Sequence, residues 1–151
     1  MRIAFMGKSH EFALVPLRAI AARHQVVGLI ECAEPTGGRG WTRVREQIAV
    51  WNGRRGGRQT LESLARLWTV PYLCATAHRH GELARFLKNA QPALLCAVSV
   101  PWLLRPEEFS VPRLGSLNLH PSLLPKYRGP LPWFWQYYAG EPLFGVTVHV
   151  M

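Results

Sequence analysis

A strand, a helix and a second strand follow one another within the first thirty residues, and that order leaves few folds open. Arg2-Ile3-Ala4-Phe5-Met6 is a short buried-strand pattern that stops at Gly7. From His10 to Arg23, the residues Phe12, Leu14, Val15, Leu17 and Ile20 recur at roughly helical spacing. Pro16 marks either the first turn of that helix or a kink in it. Val26 to Ile30 is the second strand. A strand, a crossover helix and a strand of this length imply parallel pairing and an α/β architecture.

The rest of the chain continues in that style. Helices are expected over Thr60–Trp68, with Leu61, Leu64 and Leu67 on one face, over His80–Asn89, and over the aromatic stretch Pro132–Ala139. Pro106–Phe109 reads as a single turn with proline at its start. Strands are expected at Pro71–Cys74, Ala93–Val98, Gly115–Leu119 and Phe144–Val150, the last from its alternating, β-branched pattern. Thr36 to Gln59 reads as a loop-rich insertion with two glycine- and arginine-rich stretches and a short helix, Trp41–Trp51, between them. Pro121–Pro130 is a proline-stiffened loop.

Composition narrows the class. At 151 residues and 48% hydrophobic, the chain is long enough for one domain with an ordinary core. Its longest apolar runs are far too short to span a bilayer, so no membrane role is expected. Cys32, Cys74 and Cys96 are odd in number and widely spaced, which suits buried free thiols in a reducing cytoplasm rather than disulfides or zinc. His78, His80 and His149 lack a third ligand at metal-binding spacing, so no metal is expected. The net charge of +9 favours anionic partners such as nucleic acid or nucleotides, or else a solvated basic surface. Gly7-Lys8-Ser9-His10 lacks the G-x-G-x-x-G turn of nicotinamide-dependent dehydrogenases.

The most informative stretch is Gly115 to Gly129, GSLNLHPSLLPKYRG. A strand there carries Asn118 and His120 towards its carboxyl end, and side chains two apart on a strand share a face. An amide and an imidazole would project together beyond the sheet, where open α/β folds bind ligands. Such a pair can donate hydrogen bonds to a developing oxyanion, as acyl transfer through a tetrahedral intermediate requires. A capping asparagine and a satisfied core histidine would read the same way on composition alone.

The wording of this segment, Asn-Leu-His-Pro-Ser-Leu-Leu-Pro followed by Tyr127-Arg128-Gly129, closely resembles the signature of the folate-dependent formyltransferases. Those include methionyl-tRNA, glycinamide ribonucleotide and sugar-nucleotide formyltransferases. Weaker likeness extends to Phe5-Met6-Gly7, to Pro35–Gly40 and to Gly145–His149. The resemblance implies a Rossmann-like fold, a mostly parallel sheet flanked by helices, and formyl transfer from 10-formyltetrahydrofolate to an amine. By the same resemblance Asn118 would bond the formyl oxygen, and His120 would stabilise it as an imidazolium. The pterin would lie along the loop Val98, Ser99, Val100, Trp102, Leu103 and Leu104, with Trp102 as an apolar wall or an ordinary core residue. Gly7, Ser122, Tyr127 and Arg128 would line the acceptor side, Ser122 being alternatively a turn hydroxyl.

The family also uses an aspartate shortly after the strand matching Gly145–His149. All nine acidic residues here are glutamates, so the chain supplies no such group. The expectation is one catalytic domain over residues 1–151, incomplete at its C-terminus and weak or inactive alone. The rival reading is a non-catalytic folate- or RNA-binding module. A small-molecule amine and tRNA both remain open as acceptor, the latter through Arg39–Arg58. The rings Trp133 to Tyr138 are expected either to wedge against the sheet or to stack on a partner. If the final strands are missing, some would be exposed and promote self-association, so a homo-oligomer stays open.

Overall fold

The computed structural model describes residues 1–33, 59–79 and 81–151. The expected helix Trp41–Trp51, the arginine-rich stretches and His80 lie outside the described residues. The rest form an α/β sheet. In chain order they are β1 (Arg2–Gly7), α1 (Glu11–Ala21), β2 (Gln25–Cys32), α2 (Leu61–Trp68), β3 (Tyr72–Ala75), α3 (Glu82–Ala90), β4 (Leu94–Val98), α4 (Pro106–Phe109), β5 (Ser116–His120), α5 (Pro132–Tyr138) and β6 (Thr147–Val150).

The sheet order is β3-β2-β1-β4-β5-β6. Neighbours pair in parallel from β3 through β5, and β6 runs antiparallel to β5. The mostly parallel, Rossmann-like sheet expected from the opening βαβ unit is therefore present. The strand order reverses between β1 and β4, which places the switch-point crevice beyond Gly7 and Val98. The two turns approach closely there: a Cβ on Gly7 would stand 3.1 Å from the Val98 carbonyl oxygen and 3.2 Å from Ala13 Cβ.

Strand alternation divides the core in two. Phe5, Leu29 and Val98 face α1 and α2, with Leu14, Leu17, Leu61 and Leu64. Ala4, Met6, Ile30, Leu95 and Ala97 face α3, with Leu83 and Leu87. Helix α1 buries Ala13, Leu14 and Leu17, leaves Phe12 and Val15 exposed, and carries Pro16 inside it. Helix α2 buries Leu61, Leu64 and Ala65, and Leu67 turns out to solvent, because three-residue steps drift off a 3.6-residue face. Thr60 caps α2: its hydroxyl accepts from the Ser63 N–H at 3.0 Å, and Ser63 Oγ accepts from the Thr60 N–H at 2.9 Å.

One residue ties three elements together after β1. Ser9 donates its backbone N–H to Glu31 Oε1 at 2.9 Å and its hydroxyl to Glu31 Oε2 at 2.7 Å, and that hydroxyl accepts from the Leu61 N–H at 2.9 Å. The turn after β1, the end of β2 and the start of α2 thus meet at a single side chain.

Three expectations need correction. Cys74 is exposed, so the thiols are not all buried; it lies on β3, at the edge of the sheet. The last strand spans only Thr147–Val150, because residues 143–146 make no ladder with β5. Finally, α5 is not wedged against the sheet: only Pro132 and Gln136 are buried, while Trp133, Phe134, Trp135, Tyr137 and Tyr138 are exposed.

Candidate active site at the carboxyl end of β5

Register decides where Asn118 and His120 point. Ala97 pairs with Asn118 and Val98 with Leu119, so His120 sits one step past the last paired residue of β4. Leu119 packs against the cluster on the α1 and α2 side. Alternation then directs Asn118 and His120 to the opposite face. Val100, Trp102 and Leu104 pack against the core on that same face, as does Met151. On β6, Thr147 is the partner of His120 and His149 the partner of Asn118, so both belong to this face too. Asn118, His120, Thr147 and His149 form one polar quartet at the sheet's carboxyl rim, beside the loop that leaves β4.

Each site side chain has a defined bond. Asn118 Nδ2 lies 3.1 Å from His149 Nε2. His120 Nε2 lies 2.9 Å from the Tyr127 carbonyl oxygen, and a carbonyl only accepts, so Nε2 carries a proton. That bond leaves Nδ1 as the ring nitrogen for a ligand. Tyr127 has a positive φ of 54°, the left-handed conformation in which its carbonyl meets the imidazole.

The 121–130 loop is braced from three sides. The Ser122 hydroxyl donates to the Lys126 carbonyl at 2.8 Å, and Ser122 is 0% exposed. Thr147 Oγ1 donates to the Ser122 carbonyl at 2.7 Å and accepts from the Leu124 N–H at 3.0 Å. Gln136, on α5, donates to the Pro121 carbonyl at 2.8 Å. Outside, Glu141 accepts from the Tyr127 hydroxyl at 2.7 Å and from Lys126 Nζ at 3.1 Å. The bond from Tyr127, with that from Lys126, holds the Glu141 carboxyl below its usual value; the same bond to Glu141 pushes the Tyr127 hydroxyl up.

The other expected site residues are distributed as follows. Ser122 is enclosed with its hydroxyl bonded to the loop, so it is the turn hydroxyl and does not line the acceptor side. Gly7 lies at the switch-point crevice, with Val98 buried against it. Ser99 begins the β4 loop with a positive φ of 57°. Trp102 is half-buried against the core on the face of Asn118 and His120, whereas Leu103 is 95% exposed. Arg128 is exposed and donates to the Pro125 carbonyl at 3.2 Å. Sequence reading did not include Thr147, Gln136 and Glu141, whose roles come from contacts across chain-distant elements. It placed His149 on a family-like strand and gave it no metal, without a role in the site.

Among the described residues no cluster of three metal-ligating side chains occurs, and no helix is long and apolar enough to cross a membrane. A separate cavity of about 740 Å³ opens at the amino-terminal ends of β1 and β4, lined by Met1, Arg2, Leu87, Lys88, Pro92 and Arg113. It lies at the opposite end of these strands from His120.

The formyl transferase profile matches residues 1–151. The chain belongs to the formyl transferase family. Methionyl-tRNA formyltransferase of Chloroflexus aurantiacus is 34% identical over 152 residues, and that of Thermotoga maritima 30% over 151. Both alignments take in 100% of this chain and 44% of the relative, so this formyl transferase chain spans less than half the length of those proteins. Among solved structures, glycinamide ribonucleotide transformylase 1 of Geobacillus kaustophilus superposes with a TM-score of 0.64 at 24% identity, covering 99% of this chain and 73% of that one. A formyltetrahydrofolate deformylase of Pseudomonas syringae gives 0.66 at 15% identity, covering 100% and 46%. These two likenesses establish the formyl transferase fold alone.

Proposed function

We propose that the quartet at the β5 rim is the reaction centre for moving a formyl group from 10-formyltetrahydrofolate to an amine. The observation that carries this is the shared face of Asn118 and His120 at the carboxyl end of β5, one strand from the switch point. The amide keeps a second proton after its bond to His149, and that proton can be donated to a formyl oxygen as charge develops on it. His120, held through Nε2, turns Nδ1 towards a ligand; protonated there, it becomes a second donor. The Val98–Leu104 loop, whose Val100, Trp102 and Leu104 pack on that same face, would hold the folate by its backbone. The tight approach of Gly7 to Val98 leaves no room for a side chain at the turn after β1. Gly7, Tyr127 and Arg128 remain on the proposed acceptor side; Ser122 serves the loop.

Charge and kinship bear on the acceptor. A net charge of +9 and relatives named methionyl-tRNA formyltransferases favour an aminoacylated tRNA. A small phosphorylated amine is the second reading, favoured by the likeness in fold to a glycinamide ribonucleotide transformylase. The one-carbon step also calls for a carboxylate to manage the amine's proton, and all nine acidic residues of this chain are glutamates.

Titration with a non-reactive folate analogue, followed by calorimetry, tests the donor site. Saturable binding that weakens on bulky substitution at Ser99 is expected; no binding at millimolar analogue sinks the proposal. Salt-dependent tRNA binding with a steep logarithmic slope supports the tRNA acceptor, and its absence moves the assignment to the small amine.

A further inference from the structure

His149 and Asn118 face each other across β5 and β6 as a register pair, with Nε2 and Nδ2 3.1 Å apart. The other ring nitrogen settles the tautomer. His149 Nδ1 lies 3.0 Å from the Val150 carbonyl oxygen, which can only accept, so Nδ1 bears a proton. In the neutral ring Nε2 is then a bare acceptor, and it can face only the NH2 end of the amide. The Asn118 contact demands the same tautomer from its own side.

We propose that His149 is a positioning residue: its Nδ1–H tautomer dictates which end of the Asn118 amide faces the reacting oxygen. The inference rests on the reading of Asn118 as the formyl-oxygen donor. The two ends of an asparagine amide are nearly equal in shape, so packing distinguishes them weakly. A donor end stabilises a developing oxyanion; the carbonyl end repels it. By accepting one amide proton, His149 pins Nδ2 on the β6 side and leaves its second proton for the ligand. The ring is itself held by the backbone of its own strand, at Val150. The opposite tautomer would set donor against donor and turn the amide over.

Nitrogen-15 spectra of the imidazoles and side-chain amides test this, at about pH 8, above the ordinary histidine range. His149 is expected as the Nδ1–H tautomer, with one Asn118 amide proton shifted and protected from exchange. His149→Phe should abolish that protection, and His149→Gln, whose Oε1 accepts, should restore part of it. Backbone spectra of both variants report whether the sheet survives. An Nε2–H tautomer, or Asn118 protection unchanged in His149→Phe, overturns the proposal.

In formyl transfer, His149→Phe should lower kcat about tenfold, less than the roughly 10²–10³ expected for losing an oxyanion donor outright. KM for the folate should stay within about twofold, since uniform binding is untouched. Adding Asn118→Ala to His149→Phe should cost no more than Asn118→Ala alone; additive losses also overturn it. If Asn118→Ala leaves the rate unchanged, the reading of Asn118 fails, while the tautomer result stands on its own.

Discussion

Ser122→Ala removes one hydroxyl and almost no volume, so its effect isolates a single part-buried hydrogen bond. The bond runs 2.8 Å from Ser122 Oγ to the Lys126 carbonyl, with the Tyr127 carbonyl as a longer second acceptor at 3.4 Å. Ser122 is 0% exposed, but the acceptor carbonyl belongs to exposed Lys126, so water can replace part of the lost donor. A carbonyl left without its partner costs about 1–3 kcal/mol when buried, and the low end applies here, about 1 kcal/mol. Thr147 and Gln136 still hold the loop at the Ser122 and Pro121 carbonyls, so collapse is not expected. For a chain of this size that is a drop of about 2–4 °C in melting temperature. Urea unfolding followed by tryptophan fluorescence measures it directly, with an unchanged m value showing that the two end states are the same. Exposed Ser110 supplies the control, since its alanine variant should fall within about 0.5 kcal/mol of the parent. If Ser122→Ala behaves like that control, the loop does not depend on this bond, and its bracing of His120 through Tyr127 is refuted.

Other substitutions probe other parts of the fold. Gly28→Ala places a Cβ 2.9 Å from Phe86 Cε1 and 3.0 Å from its Cζ, between β2 and α3. Overpacking there should cost about 1–3 kcal/mol in chemical denaturation, offset only in part by the stiffer unfolded chain. Among the thiols, Cys74 should react with a maleimide much faster than Cys32, whose burial pushes it up to about 12; mass spectrometry of the labelled protein reads the order. Glu141 gives stability a definite slope with pH. Because the bond from Tyr127 holds its carboxyl below the ordinary 4.5, the stabilisation is present above that value and is lost as pH falls through the folded value. Tyr127 is raised above 10.0, so its share is complete below pH 10.0 and is lost as pH rises through the higher folded value. Glu141→Gln should flatten the acid limb of urea midpoints measured against pH.

How much of this was legible in the chain differs by element. The βαβ opening announced the parallel sheet because apolar run lengths and helical spacing report local geometry directly. The Asn118/His120 pair was legible because strand alternation is a local rule. Ser122 was harder: a serine in a proline-rich loop looks the same facing a ligand or a neighbouring carbonyl, and only the folded loop closes that distance. The family likeness took in His149 without a role, since that role depends on the register of an antiparallel strand thirty-one residues from Asn118. The aromatic run at 133–138 misled for a physical reason. Apolar composition states that burial would be favourable but not which surface supplies it.

The Ser9 junction has a consequence for how the protein can vary. Glu31, near the end of β2, and Leu61, at the start of α2, both bond to Ser9. A disturbance at either anchor therefore reaches the other through one serine, while the β5 rim shares none of these bonds.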